Sequence, residues 1–401
     1  MSLATLRAAA RRVDVVLILI LIAAGYLRFH LAMTQEYVHD EDNTAIPLSE
    51  TISFTPGHVH LPLRAENHGA LPAYIVGASG ALFGKTPLGY RGLHIALSLI
   101  TVLVVYLLVR QWYGPMAGRW AAALLALNEY YLNVSSRATA HVPHLFFVTT
   151  ALYAFSRFLR HHRPAPLYAA AACVGFAFYC KETAALLLPV FFLVLLRRDY
   201  RPWLRTPHVY LAPLVFVAMI VPDLYWNATI NSHTARIDYA GRDEGYATYQ
   251  SHLARIGGLG LSPYPLMFYG RTAVRSTYQD ITGGELRDET PEYQSINPPL
   301  GLLLLVGVTV ATVRPAVRHD LRWLLLLYFW FVFGLFTLIA KGEATGRLDP
   351  VSWIWVEATL LPAVILTGAL LAGTTGKWRV ATWAYAAGVL GYAVWLTVSV
   401  A

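Results

Sequence analysis

The sequence predicts an all-α polytopic membrane protein with about eleven transmembrane helices and two long outer loops carrying interfacial helices. Three observations predict it. Of its 401 residues 56% are hydrophobic and only 13% charged, with a mean hydropathy of +0.48, too few polar groups to coat a soluble globule of this size. Apolar runs long enough to cross a bilayer recur along the whole chain. Arg residues gather in alternate short segments between those runs, as orientation signals do.

Taken in order, the spans fall near 14–33, 89–109, 116–134, 138–156, 165–182, 183–196, 208–226, 299–313, 320–340, 351–373 and 380–400, with 183–196 the shortest. Arg7, Arg11 and Arg12 precede the first span, and no small-residue cleavage site follows it, so it reads as retained and not as a removed signal peptide. With the N-terminus in the cytoplasm, inner turns carry Arg110 and Arg119, then Arg157, Arg160 and Arg163, then Arg197, Arg198, Arg201 and Arg205, while outer turns carry single bases such as Arg137 or Lys181. This distribution excludes a nucleic-acid surface as the source of the net charge of +8. Cys173 and Cys180 lie in or beside one apolar run, so a disulfide framework is not indicated. Only four of the 31 basic residues are Lys, which suits a GC-rich bacterial genome and hence a bacterial inner membrane.

Two outer segments exceed the length of turns, 34–88 and 227–298. They divide the chain into a transmembrane module over 1–226 with the first loop inside it, a large outer loop over 227–298, and C-terminal helices over 299–401. HGALPAYIVGASGALFG, 68–84, is amphipathic and predicts a helix along the membrane surface. No internal repeat is present, which weighs against inverted-repeat transporters.

The densest acidic cluster, VHDEDNTA over 38–45, follows the first span. Asp40, Glu41 and Asp42 read either as a solvated acidic loop or as a general base or metal site, where partial desolvation at the membrane surface raises a carboxylate's basicity. His39, His68 and His141 bring imidazole to the same outer side. With Asp40 and Asp42 they offer ligands for a divalent ion such as zinc or manganese, or they are interfacial histidines without ligand. His141 follows Arg137 by four residues and precedes His144 by three, a spacing that places these residues on one helix face.

The order of these motifs resembles the GT-C glycosyltransferases, in the branch of protein O-mannosyltransferases and lipid A aminoarabinose transferases. Asp40-Glu41 opens the first loop, Leu82-Phe83-Gly84 and Arg91 lead into the second span, and Lys181 heads Ala185-Leu186-Leu187-Leu188-Pro189. The resemblance covers about 10–200. It implies an inverting transfer of a sugar from a polyprenyl-phosphate donor to a lipid, glycan or protein acceptor at the outer face. In that reaction Asp40 is the base, and Glu41 is its partner or orients the acceptor. Lys181, Arg137 and Arg347 are the cations for the lipid phosphate. The sequence departs from the family at SSRATAHVPHLFF, which holds no second acid and places His141 there instead. Two other classes therefore stand beside the enzyme. One is a non-catalytic subunit of a membrane complex. The other is a transporter, for which Asp14, Glu129 and Glu357 are the acids within or near spans.

Overall fold

The computed structural model describes residues 14–38, 40–63, 69–233, 264–270, 296–314, 320–338 and 355–400. Within them the chain is helical, with an isolated bridge between Ser53 and His60 in the first loop. Among the described residues seven helices are long and apolar enough to cross a membrane, and four shorter apolar ones accompany them. The protein is an integral membrane protein, and among the described residues its apolar runs are helical.

Helix α1, Val15–Thr34, starts on Asp14, whose side chain accepts from the Leu17 amide. A single wide π turn, Asp40–Ala45, leads into α2, Ile46–Thr51. The expected surface helix is α3, Leu71–Phe83, ending with Leu82 and Phe83 exposed. Gly84, at φ +92, reverses the chain into α4, Pro87–Tyr113, whose first turn is capped by Thr86. Gly114, at φ +89, turns it again into α5, Pro115–Ala126.

The span expected over 116–134 is interrupted. Leu127 leaves the helix, and the Asn128 side chain accepts from the Tyr131 amide to begin α6, Glu129–Ser135. The apolar run gave no sign of this because the break is a capping event inside a buried stretch. Helix α7, His141–His161, and α8, Pro164–Phe178, pair along their lengths. A tight turn and a 3₁₀ segment, Glu182–Leu186, then lead into α9, Leu187–Leu195. Helix α10 covers His208–His233, and the short α11 covers Tyr264–Phe268. The C-terminal helices are α12, Pro298–Val313, α13, Asp320–Leu338, α14, Leu360–Gly373 after a 3₁₀ turn over Trp355–Thr359, and α15, Lys377–Val400.

One apolar core runs from Leu17 on α1 to Ala393 on α15. Helix α14 lies at its centre: 78% of the span Val356–Gly373 is buried, against 28% for α1. Its Gly368 packs so closely on α5 that an added Cβ would lie 2.7 Å from the Ala121 nitrogen. Helices in lipid gain association energy from this kind of small-residue contact. The outward faces of α1 and α15 keep Val15, Leu19, Ile22, Trp378 and Trp395 exposed, as lipid contact requires.

The alternation of helix directions sorts the turns between two ends. One end holds the C-terminus of α1, the start of α4, the α6–α7 connection, the α8–α9 turn and the start of α14. The other holds Arg110, Arg119, Arg157, Arg160 and Arg197, with Asp14 paired to Arg119 at 3.0 Å.

Candidate functional site

The first loop is fastened by a buried ion pair. Arg91, in the first turns of α4, and Glu41, in the π turn, are both fully buried. Arg91 Nε donates to Glu41 Oε1 at 2.8 Å and Nη2 to Oε2 at 2.7 Å, a bidentate fork. Its remaining N–H groups reach the end of α1 and the following turn: Nη1 donates to the Ala32 and Gln35 carbonyls at 2.8 and 2.9 Å, and Nη2 to the Glu36 carbonyl at 2.9 Å. All five guanidinium donors are used. Glu41 also accepts from the Val38 amide at 3.2 Å and, across the bundle, from the Ala138 amide at 2.7 Å. Four chain segments meet at this one carboxylate–guanidinium pair. Tyr37 covers it, its ring centroid 5.1 Å from the guanidinium. Burial pushes the Tyr37 phenol up, although Arg91 beside it pulls the other way.

Glu41 was expected to partner Asp40 or to orient an acceptor. With no exposed surface and four donors on its two oxygens, it fixes the loop. The neighbouring Asp42 is exposed. The backbone of Asp40 belongs to the π turn; its side chain lies outside the described residues, as do His39, His68 and Arg347.

Three residues beyond Ala138, about 10 Å of chain at most, a second cluster forms around Glu357, which is fully buried at the foot of α14. Lys181, in the α8–α9 turn, donates from Nζ to Glu357 Oε1 at 2.7 Å. The other oxygen, Oε2, lies 2.5 Å from His141 Nδ1 and accepts from the Tyr130 hydroxyl at 2.6 Å. Lys181 Nζ is 2.9 Å from the same His141 nitrogen. Tyr130 comes from α6, so the Asn128 break is what turns its hydroxyl into this group. Gly69 holds the Lys181 turn from the other side: a Cβ there would lie 2.5 Å from the Tyr179 carbonyl oxygen. Lys181 and His141 keep 9% and 8% of their surface exposed, so the cluster touches the outside only through these two.

Arg137 does not share a helix with His141 as expected. Residues 137–140 form an irregular connection because Glu41 takes the Ala138 amide, and α7 begins only at His141. Arg137 is buried beside the end of α1, its Nε 3.5 Å from Gln35 Oε1. His144 makes no hydrogen bond to Glu357 among those described; its Nδ1 lies 3.4 Å from the Ala177 carbonyl oxygen. Sequence reasoning left Glu357 and Tyr130 outside the candidate site. For Glu357 the signal was present, since an ionisable group inside a span calls for a partner; Tyr130 carried none. Among the described residues no group of three or more His, Cys, Asp or Glu side chains is placed to hold a metal ion.

The family model for dolichyl-phosphate-mannose-protein mannosyltransferase matches residues 67–226, a stretch that contains Arg91, Arg137, His141 and Lys181. An uncharacterised protein of Aquifex aeolicus is 29% identical over 128 residues, which span 31% of this chain and 26% of that protein's length. Among solved structures, ArnT from Cupriavidus metallidurans bound to undecaprenyl phosphate superposes with a TM-score of 0.60 at 15% identity, over 96% of this chain and 69% of its own. The Archaeoglobus fulgidus oligosaccharyltransferase in its apo form gives 0.53 at 14% identity, over 96% and 56%. AglB of the same organism, in complex with an inhibitory peptide and a dolichol-phosphate, gives 0.52 at 14% identity, over 95% and 55%. The resemblance carried by the first half of the sequence therefore extends, as a shared fold, over nearly the whole chain.

Proposed function

We propose that the protein transfers a sugar from a polyprenyl-phosphate donor to an acceptor hydroxyl at the extracytoplasmic face of a bacterial inner membrane, with inversion at the anomeric carbon. The observation that carries this reading is the meeting of Lys181 and His141 in one cluster beside the anchored first loop, within a fold shared with a protein crystallised with undecaprenyl phosphate. Asp40, next to the immobilised Glu41, takes the proton from the acceptor oxygen as that oxygen attacks the anomeric carbon. The bond between the anomeric carbon and the phosphate oxygen breaks, and the lipid phosphate leaves with the bonding pair. Lys181, Arg137 and Arg347 meet the developing phosphate charge. The acceptor, whether lipid, glycan or protein, approaches from the side of the 227–298 segment.

No step in this scheme runs through a metal ion. Metal assistance at Asp40, Asp42, His39, His68 and His141 is tested by chelation: loss of activity restored by zinc or manganese adds an ion to the proposal.

One observation favours a second reading. Lys181 is closed against Glu357, as a purely structural ion pair in a non-catalytic membrane subunit would be. Purified protein in bilayers with a labelled polyprenyl-phosphate sugar pool separates the two. Release of polyprenyl phosphate, lost in Asp40→Asn, is the result expected; absence of turnover with every donor, alongside stable co-purification with a membrane complex, overturns it.

A further inference from the structure

Glu357 has no part in the scheme above, yet the donor inventory around it fixes the state of its neighbours. An ionised carboxylate only accepts hydrogen bonds, so a nitrogen 2.5 Å from Glu357 Oε2 must carry the proton between them. His141 is thereby held with hydrogen on Nδ1. Lys181 Nζ, 2.9 Å from the same nitrogen, could donate only to a lone pair there, but the ammonium already donates to Oε1 at 2.7 Å, and the shorter contact to Oε2, which has no proton of its own, decides for Nδ1–H. In a neutral imidazole the lone pair then resides on Nε2. That atom bonds to none of the described residues, and the ring it belongs to is one of the two places where the cluster meets the outside.

We infer that Glu357 is a positioning residue: it holds His141 with the Nε2 lone pair presented to a hydrogen-bond donor of the acceptor beside the hydroxyl that gives its proton to Asp40, and with its other oxygen it holds Lys181 toward the donor phosphate. The inference rests on the glycosyl-transfer reading for the identity of those two groups. Because Lys181 Nζ and His141 Nδ1 are 2.9 Å apart, one carboxylate brings the acceptor side and the donor side within a hydrogen-bond length of each other. Tyr130 completes the set, its hydroxyl donating to the oxygen that His141 uses, which limits that oxygen's freedom to rotate away.

The substitution Glu357→Gln separates this role from simple packing. The amide presents one acceptor atom, its oxygen, and one donor atom, its nitrogen with two N–H bonds. Lys181 takes the carbonyl oxygen, the NH₂ group faces Nδ1, and the imidazole must shift its proton to Nε2. Nitrogen-15 spectra of histidine-labelled protein in bilayers, with His141 assigned by difference from His141→Gln, read this directly and need no ligand. The expected result is Nδ1–H in the wild type and Nε2–H in Glu357→Gln. Glu357→Asp, which keeps the charge, retains Nδ1–H. Release of polyprenyl phosphate falls about 10²-fold in the Gln variant and recovers in part in the Asp variant. Lys181→Met guards against a Gln variant that fails to fold: His141 keeps Nδ1–H there, because the carboxylate and not the ammonium sets the ring. An Nε2–H wild type, an unchanged tautomer in Glu357→Gln, or a switch in Lys181→Met overturns the inference. A wild type without turnover but with the expected tautomers overturns the glycosyl-transfer reading and leaves the positioning of His141 by Glu357 standing.

Discussion

Substitution tells the neighbouring acids of the first loop apart. Glu41 is fully buried on Arg91, so Glu41→Gln leaves a guanidinium without its counter-charge. Breaking a buried pair by removing one partner costs about 3–5 kcal/mol. The expected outcome is a large drop in thermal stability, read by detergent melting, with inactivity as its consequence. Asp40→Asn, at the proposed base, is expected to melt as the wild type does and to lose transfer altogether. Equal melting of the two variants would mean that Glu41 does not hold the loop. For the donor side, Lys181→Ala and Arg347→Ala should raise the donor KM and leave the acceptor KM unchanged. Each removes a charge-assisted contact worth about 1.5–3 kcal/mol.

Short interruptions matter more to the site than long spans do. Helix α6 exists because Asn128 caps Tyr131, and α6 carries Tyr130 to Glu357. Asn128→Ala loses a cap worth about 1 kcal/mol. It is expected to lower turnover beyond what its modest destabilisation explains, measured as rate per folded protein in the release assay. The Lys181 turn depends in the same way on Gly69, which leaves no room for a Cβ against the Tyr179 carbonyl oxygen. Gly69→Ala must push that turn outward. The expected signature is a higher donor KM at nearly unchanged kcat; an unaltered KM would show that the turn yields without moving Lys181.

Among the described residues charge is sorted between two ends: basic turns at one, and the Glu41 and Glu357 clusters at the other. The positive-inside rule leads us to propose that the basic end faces the cytoplasm. With Cys173 and Cys180 replaced by Ser, a cysteine at the exposed Asp42 is expected to react with a membrane-impermeant maleimide added outside intact cells. One at Arg201 is expected to react only after permeabilisation. The reverse pattern would turn the protein over and remove the extracytoplasmic reaction from the proposal.

The sequence by itself determined the membrane class, the helical runs, the sidedness of the basic residues and the likeness to the GT-C glycosyltransferases. Hydropathy and charge are local sums, and they survive without knowledge of packing. It also placed Lys181 and His141 near one mouth, because both sit at span ends whose sidedness follows from the charge count. Only the tertiary structure decided that Glu41 is a clamp, that Arg137 leaves the helix of His141, that the run over 116–134 breaks at Asn128, and that Glu357 gathers Tyr130, His141 and Lys181. Each of those is a bond between groups 50 to 227 positions apart or a cap chosen in competition with continued helix. A carboxylate in an apolar run announces that it needs partners. Which partners it finds depends on how the helices pack: where the resemblance leads one to expect an acid after Arg137 this sequence has His141, and Glu357 from the foot of α14 lies against it in space.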